Sequence, residues 1–463
     1  MNKPAVLFFA RGYQADFFPA LANDQFDALF VTLTRNESSR VEKRGQAVAA
    51  CFEADFDGIE PAPVPDDYLI TSLVSDRFLG RFDPVRRMEI LGKEIAFWSA
   101  LLDRHKPAAV INELVAIEIS EVLLIECRKR GIPYLAGMNC VIDDLFYWLP
   151  DPMTMSGSKL PAVVPDESAR QGAKAYLRQV VAKDYKPFYV QNLAGRRALL
   201  PFAAALAKVV LWWFRSLRDK QGGRFTYEMY DDEYGKRVSV WFKSFFRRYD
   251  RLEAIPSDRE IVFFPLHQEP EATLNYMSEF YSNQVATIEN ILKCLGPRQV
   301  LVVKEHPVDK GSLLRRKFWE IRSRNSGLYY LPAEVHGREV LAVADRVITL
   351  TSTVGWEAAI IGKKVYVLGE IFYDNLPGVV AIANFRDLRT ALRRPGSEGR
   401  RLSMEKAEAF VAELAVMSYP GNPFPHDNLY SRTNTDRIIH AIMHAAKLQA
   451  DERDPGPARR AGK

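Results

Sequence analysis

Short, uninterrupted apolar runs punctuate this chain, and between them apolar residues return at helical spacing. An apolar run bounded by polar turn residues reads as a strand buried on both faces, the kind found in a parallel sheet covered by helices. Residues 5–10, 28–32, 108–111 and 133–136 are such runs. Helices are predicted between them at 17–22, 85–105 and 118–130. The last two end in basic residues, which suit the negative end of a helix dipole, and Gly131 stands where a C′ glycine would close the second. Residues 1–150 therefore read as one doubly wound domain. From 151 to 255 the alternation stops, and helical pattern with aromatic and basic residues takes over, as in KSFFRRYDRL. This stretch reads as a helical insertion. Strands resume at 261–265, 299–304, 328–331, 346–350 and 364–368, giving a second doubly wound domain over 256–400. Helices at 403–416 and 432–448 fill 401–450, and the charged, Pro- and Gly-bearing tail, 451–463, is expected to be disordered.

Composition narrows this only a little. A chain of 463 residues that is 48% hydrophobic has ample material for two or three cores. A net charge of +5 is too weak and too dispersed to argue for nucleic acid, but it suits an anionic ligand or an anionic membrane surface. Cys51, Cys127, Cys140 and Cys294 lie far apart with no CxxC spacing, which argues against a zinc site or disulfide framework and for a reducing, cytoplasmic compartment. The opening MNKPAVLFFARGYQADFFPAL contains Arg11 and Asp16 and lacks a small-residue cleavage site, so it reads as a first strand and not a signal peptide. The longest apolar stretch, Ala198–Phe214, is broken by Pro201 and Lys208 and flanked by Arg196, Arg197, Arg215 and Arg218. That is short for a spanning helix. Its tryptophans and basic flanks fit a helix lying in a membrane interface, and a buried interdomain helix fits the same pattern.

Candidate chemistry gathers where the strands of the second domain end, the edge at which open parallel sheets bind ligands. No GxGxxG follows the first strand and no GxxxxGKS occurs, which removes the main support for dinucleotide oxidoreductase and P-loop functions. The strand VLVV runs into Lys304-Glu305-His306-Pro307. Pro307 holds His306 extended, so the imidazole is fixed at the edge with Lys304 as a nearby cation; a solvated strand end would look the same. Thr351-Ser352-Thr353 precede the helix VGWEAAIIGKK. Capping explains one hydroxyl, and three of them with free N–H groups make a phosphate seat. Glu357, one turn on, suits a ribose diol or simply a helix N-terminus. After the first strand come His267, Gln268, Glu269, Pro270 and Glu271; the two acids suit sugar chemistry, Glu271 equally a first-turn acid, and His267 is a partner or a bystander. Glu113 occupies the matching edge of the first domain, where an exposed loop acid is the plain alternative. No DxD turn in the second domain points to a metal; Asp143-Asp144 and Asp231-Asp232 lie outside it.

Two Rossmann-like domains facing a cleft, with a helical insertion, make the α/β architecture called GT-B. FFPLHQEPEATL, VLVVKEHP and ITLTSTVGWEAAIIGKKVYVLGEIFY, in that order, resemble the bacterial capsule polysaccharide synthesis glycosyltransferases, the Kdo-transferase-like group with an HP motif. The resemblance covers about residues 255–375 well and the first domain only at the level of fold. It implies a glycosyltransferase without metal or cofactor that moves a sugar, Kdo or a related ulosonic acid, from a CMP-activated donor to a polysaccharide or glycolipid acceptor. His306, Ser352 and Thr353 would hold the donor phosphate, joined by Lys304, Thr351, Glu357 and Gln268, and Glu269 or Glu271 would do the chemistry, with Glu113 the third candidate. The segment 196–218 would make peripheral contact with the cytoplasmic face of the inner membrane. The alternatives are another GT-B enzyme, such as a UDP-sugar transferase, epimerase or glycerol-phosphate transferase, and a non-catalytic scaffold of polysaccharide export.

Overall fold

A computed structural model describes the chain apart from residues 1–2, 67, 69–75, 77, 183–202, 205, 208, 212, 215–223, 228–247, 270, 308–310, 312, 314–315, 394–400 and 454–463. The chain divides into two compact units. Unit 1 comprises Met1–Pro152, Phe214–Tyr230 and Met417–Lys463, and unit 2 comprises Met153–Trp213 and Asp231–Val416. The two parallel-sheet α/β units are those of the GT-B class expected from the strand pattern.

In unit 1, β1 (Ala5–Phe9), β2 (Asp27–Thr32), β3 (Val48–Cys51), β4 (Ala109–Asn112) and β5 (Tyr134–Asn139) pair in parallel in the order β5-β4-β1-β2-β3. The β1 run is buried through Phe9, as a strand covered on both faces requires. The strongest helices fall where the periodicity places them. One spans Pro84–His105, with Asp83 capping its start, and one spans Glu118–Arg130, closed by Gly131 at φ 62°. The expectation of a purely parallel sheet needs correcting. β6 (Leu145–Trp148) runs antiparallel to β5, and the two-residue β13 (Tyr419–Pro420) runs antiparallel to β6. Asp144, at φ 59°, turns the chain back so that the aromatic LFYW segment closes the sheet as a hairpin, with no intervening helix. The helix expected at 432–448 runs from Arg432 to Arg453 and lays Ile438 and Ile442 against Val6, Phe8 and Phe30.

In unit 2, β7 (Glu260–Pro265), β8 (Gln299–Lys304), β9 (Leu328–Leu331), β10 (Arg346–Thr349), β11 (Lys364–Val367) and β12 (Val379–Ala381) form an all-parallel sheet in the order β12-β11-β10-β7-β8-β9. The interior positions of β7 and β8 are buried. One face packs on α1 (Gln284–Cys294) through Val285, Ile288 and Ile291. α2 (Gly337–Val343) follows β9, and α3 (Thr353–Ile360) follows β10. Trp356 of α3 is buried and donates from Nε1 to the Tyr176 hydroxyl at 2.9 Å, tying α3 to the helix Glu167–Val181.

About half of the expected insertion, 151–255, lies outside the described residues. Within the interfacial segment, the described residues 203–204, 206–207, 209–211 and 213–214 are helical, and Leu206, Val210, Leu211, Trp213 and Phe214 are exposed. Arg196, Arg197, Pro201, Lys208, Arg215 and Arg218, invoked for that segment, lie outside the described residues, as does the tail from 454 on. No helix among the described residues is long and apolar enough to cross a membrane. All four cysteines are free and buried.

Candidate functional site

The chain lays down β7, β8 and β9 in one direction and then crosses back to lay β10, β11 and β12 on the other side of β7. The connections leaving β7 and β10 therefore diverge, and the crevice this opens at the C-terminal ends of the strands is where doubly wound sheets take ligands. His267 bridges it. The ring follows β7 and is buried, and its Nε2 accepts from the Thr351 N–H, just past β10, at 3.1 Å. A ring nitrogen that accepts carries no proton, so the neutral imidazole holds its hydrogen on Nδ1. Burial, with His306 nearby, pushes its pKa down to about 3, which keeps the ring neutral at physiological pH. Nδ1 is buried and meets no partner among the described residues, and the same is true of Thr351 Oγ1.

Gln284, fully buried at the start of α1, holds the turn that carries His267. Its Oε1 accepts from the His267 N–H at 2.7 Å, and its Nε2 donates to His267 O at 3.0 Å and to Glu269 Oε1 at 3.1 Å. Glu269 is thus oriented by the same amide that fixes the histidine. Gln268 and Glu271 are half-buried on this loop, and the Glu271 carbonyl accepts from the N–H groups of Leu274 and Asn275 at 3.1 Å each. Both candidate acids stand on one short loop beside the switch point.

At the end of β8 the KEHP residues separate into two roles. Lys304 is buried, and its ammonium donates to the carbonyls of Glu305 at 3.0 Å and Ala333 at 3.4 Å. Glu305 is buried as well and accepts from Tyr249 Oη at 2.6 Å, from the Gly311 N–H at 2.7 Å and from the Tyr330 hydroxyl. These two residues build the corner. His306 is half-buried at its tip, and burial, aided by the charge of Lys304, lowers its pKa to about 4. At neutral pH His306 is therefore a hydrogen-bonding imidazole and not a cation.

The third element is the start of α3. Ser352 is its N-cap, with Oγ accepting from the Val354 N–H at 3.2 Å, and its own N–H donates to Thr349 Oγ1 at 2.9 Å. The Tyr373 hydroxyl donates to the Ser352 carbonyl, which fixes the cap from the far side. A Cβ on Gly369 would come within 2.9 Å of Thr351 Cγ2 and 2.7 Å of the Met277 carbonyl, so the hydroxyl-bearing turn packs directly on bare backbone. Thr353 is half-buried at the first helical position. Glu357 accepts from Arg338 Nε, in α2, at 2.9 Å.

One sheet edge thus gathers His267, Gln268, Glu269, Glu271, Lys304, His306, Thr351, Ser352 and Thr353, with Glu357 one turn into α3. Glu113 belongs to unit 1, where it pairs with the buried guanidinium of Arg11. Sequence reasoning passed over Gln284, Tyr373 and Arg338 and left the role of His267 open. Their roles come from contacts between segments far apart in the chain, which no local pattern records.

Residues 236–411 match the family model described as "Capsule polysaccharide biosynthesis protein", in keeping with the motifs of that segment. No curated protein matches the chain. Among solved structures, the chain is similar to the KpsC β-Kdo 2,7 transferase of Thermosulfurimonas dismutans, at 13% identity and TM-score 0.34, covering 75% of this chain and 88% of that one. The β-Kdo 2,4 transferase of the same organism aligns at 15% identity and TM-score 0.33, over 73% and 87% of the two chains. The UDP complex of MnaA from S. aureus aligns at 12% identity and TM-score 0.30, over 97% and 98%. Likenesses this loose carry no argument about what this chain does.

Proposed function

We propose that the chain, with the capsule polysaccharide match over 236–411 as premise, is a glycosyltransferase that takes its sugar from a nucleotide-activated donor held at the C-terminal edge of the unit 2 sheet. One observation carries this reading: at the switch point the edge brings together His306, the buried Nδ1 of His267, which meets no partner among the described residues, and the start of α3. When a sugar–phosphate bond breaks, negative charge grows on the departing phosphate oxygens. Donors fixed in advance around those oxygens stabilise the charge without having to reorganise. A neutral imidazole, helix N–H groups and hydroxyls are donors of that kind, and the Lys304 charge beside His306 adds a favourable field. Glu269 or Glu271 serves the anomeric centre, and Glu113 is the candidate acid of unit 1.

The donor is a CMP-sugar carrying Kdo or a related ulosonic acid, the acceptor is a glycan or glycolipid, and transfer needs no metal. The exposed Leu206, Leu211, Trp213 and Phe214 support peripheral contact of the segment 196–218 with a membrane surface. Purified protein given a CMP-sugar and acceptor lipid releases CMP, and the release persists in EDTA. CMP at about a hundred times its Kd adds about 2.7 kcal/mol of stability and raises the melting temperature. A melting temperature that responds to UDP and not to CMP moves the assignment to a UDP-sugar enzyme. One that responds to no nucleotide overturns it in favour of a scaffold.

A further inference from the structure

Arg338, the second residue of α2, is held in an unusual way. Its Nε donates to Glu357 Oε2 at 2.9 Å, and the two side chains are only 12% and 15% exposed. Its Nη1 and Nη2 are buried and meet no partner among the described residues. A guanidinium carries five N–H donors and no acceptor, and burying it with one edge unused is costly. Native proteins leave few such groups unless something else fills the gap. The place is informative. Gly337 lies against Val354, with its Cβ position 3.9 Å from Val354 Cγ2, so the start of α2 adjoins the first turn of α3. Glu357 is on that same helix, one turn past the hydroxyls. The carboxylate fixes the plane of the fork through Nε and leaves its two parallel donors unsatisfied beside the candidate phosphate seat.

We infer that Arg338 is a ligand-binding residue of the donor site, with Nη1 and Nη2 donating side by side to a pair of adjacent acceptor atoms on the donor nucleotide and Glu357 acting as the positioning residue. This rests on the nucleotide-sugar reading of the site. A cytidine nucleotide carries two edges of the required kind: a pair of phosphate oxygens, and O2 with N3 of the base. A uridine nucleotide carries only the first, because uracil N3 bears a hydrogen and would oppose one donor of the fork. A lysine retains the charge but loses the fork, so Arg338→Lys is not a conservative change for such a contact.

The test measures Kd for CMP, UMP and inorganic phosphate, and the melting temperature of the unliganded full chain. It compares wild type with Arg338→Lys and with the double variant Arg338→Met/Glu357→Gln, which removes the pair without stranding either charge. Both variants weaken CMP about tenfold or more. The double variant, relieved of its unused donors, melts no lower than wild type. A parallel loss for UMP assigns the fork to phosphate, and a loss confined to CMP assigns it to the base. CMP affinity within about twofold of wild type in both variants overturns the inference and leaves Arg338 as a tie between two helices. If wild type ignores both nucleotides but loses phosphate binding on Arg338→Lys, the nucleotide reading fails and Arg338 stands as an anion site. Indifference to all three probes removes both.

Discussion

His306→Ala lowers turnover of the nucleotide-sugar by about 10²- to 10³-fold, the usual cost of deleting one preorganised donor to a developing oxyanion. The melting temperature of the unliganded protein stays close to that of wild type, because the corner is built by Lys304 and by Glu305 with its three donors and not by the imidazole. The pH dependence separates this role from general acid catalysis by an imidazolium. With its pKa lowered to about 4, His306 is neutral across the working range, so the ratio of wild-type to variant rates is flat between about pH 5.5 and 8. Single-turnover rates across that range are the measurement. A ratio that climbs steeply below pH 7 means the ring works as a cation, and a ratio near one at every pH means it takes no part.

The other large effect is on stability and arises in unit 1. Asp76, Glu94 and Glu118 lie buried together, and Tyr227 donates its hydroxyl to Glu118. Asp76 accepts from the N–H groups of Phe78 at 2.7 Å, Leu79 at 2.9 Å and Glu118 at 3.3 Å. Burial first, and then the charge of Asp76, push the carboxyls of Glu94 and Glu118 well above the ordinary range. An acid with a raised folded-state pKa contributes its full stability below the unfolded value and loses it as pH rises toward the folded value. The cluster therefore weakens unit 1 progressively above about pH 4.5. Glu94→Gln replaces a protonated carboxyl by an uncharged group of the same shape and removes its share of the linkage, leaving that of Glu118. Urea midpoints show the variant gaining about 1–3 kcal/mol over wild type at pH 8, and much less at pH 4.5. A constant difference between the two pH values contradicts the buried-proton account. His267 and His306 slope the other way: their lowered pKa values, about 3 and about 4, remove stability from unit 2 as pH falls below about 6.5.

The apolar runs made nine of the eleven parallel strands legible, because a strand buried on both faces leaves little room for polar residues: β7 and β8 fall at Glu260–Pro265 and Gln299–Lys304, within a residue of the expected 261–265 and 299–304, whereas the edge strands β3 and β12, short and only partly buried, were not expected. β6 and β13 were not legible. One is a four-residue aromatic segment and the other a pair at 419–420, and only their pairing across the sheet makes them strands. In the candidate site, the positions of His306, Ser352 and Thr353 follow from strand and helix ends, which local pattern records. The Lys304 cation reads differently in three dimensions, since two backbone carbonyls take its ammonium. The proton position on His267 depends on an N–H donated from residue 351, and the unused edge of Arg338 depends on how residue 357 holds it. Neither is encoded in the neighbouring sequence.

The most direct test of the account is a crystal structure of the full chain soaked with CMP. The account predicts the phosphate at the C-terminal edge of β7, β8 and β10, with its oxygens within hydrogen-bond distance of the His306 ring and of the first N–H groups of α3. A phosphate bound elsewhere, or a His306 ring turned away from it with the start of α3 left uncontacted, contradicts it.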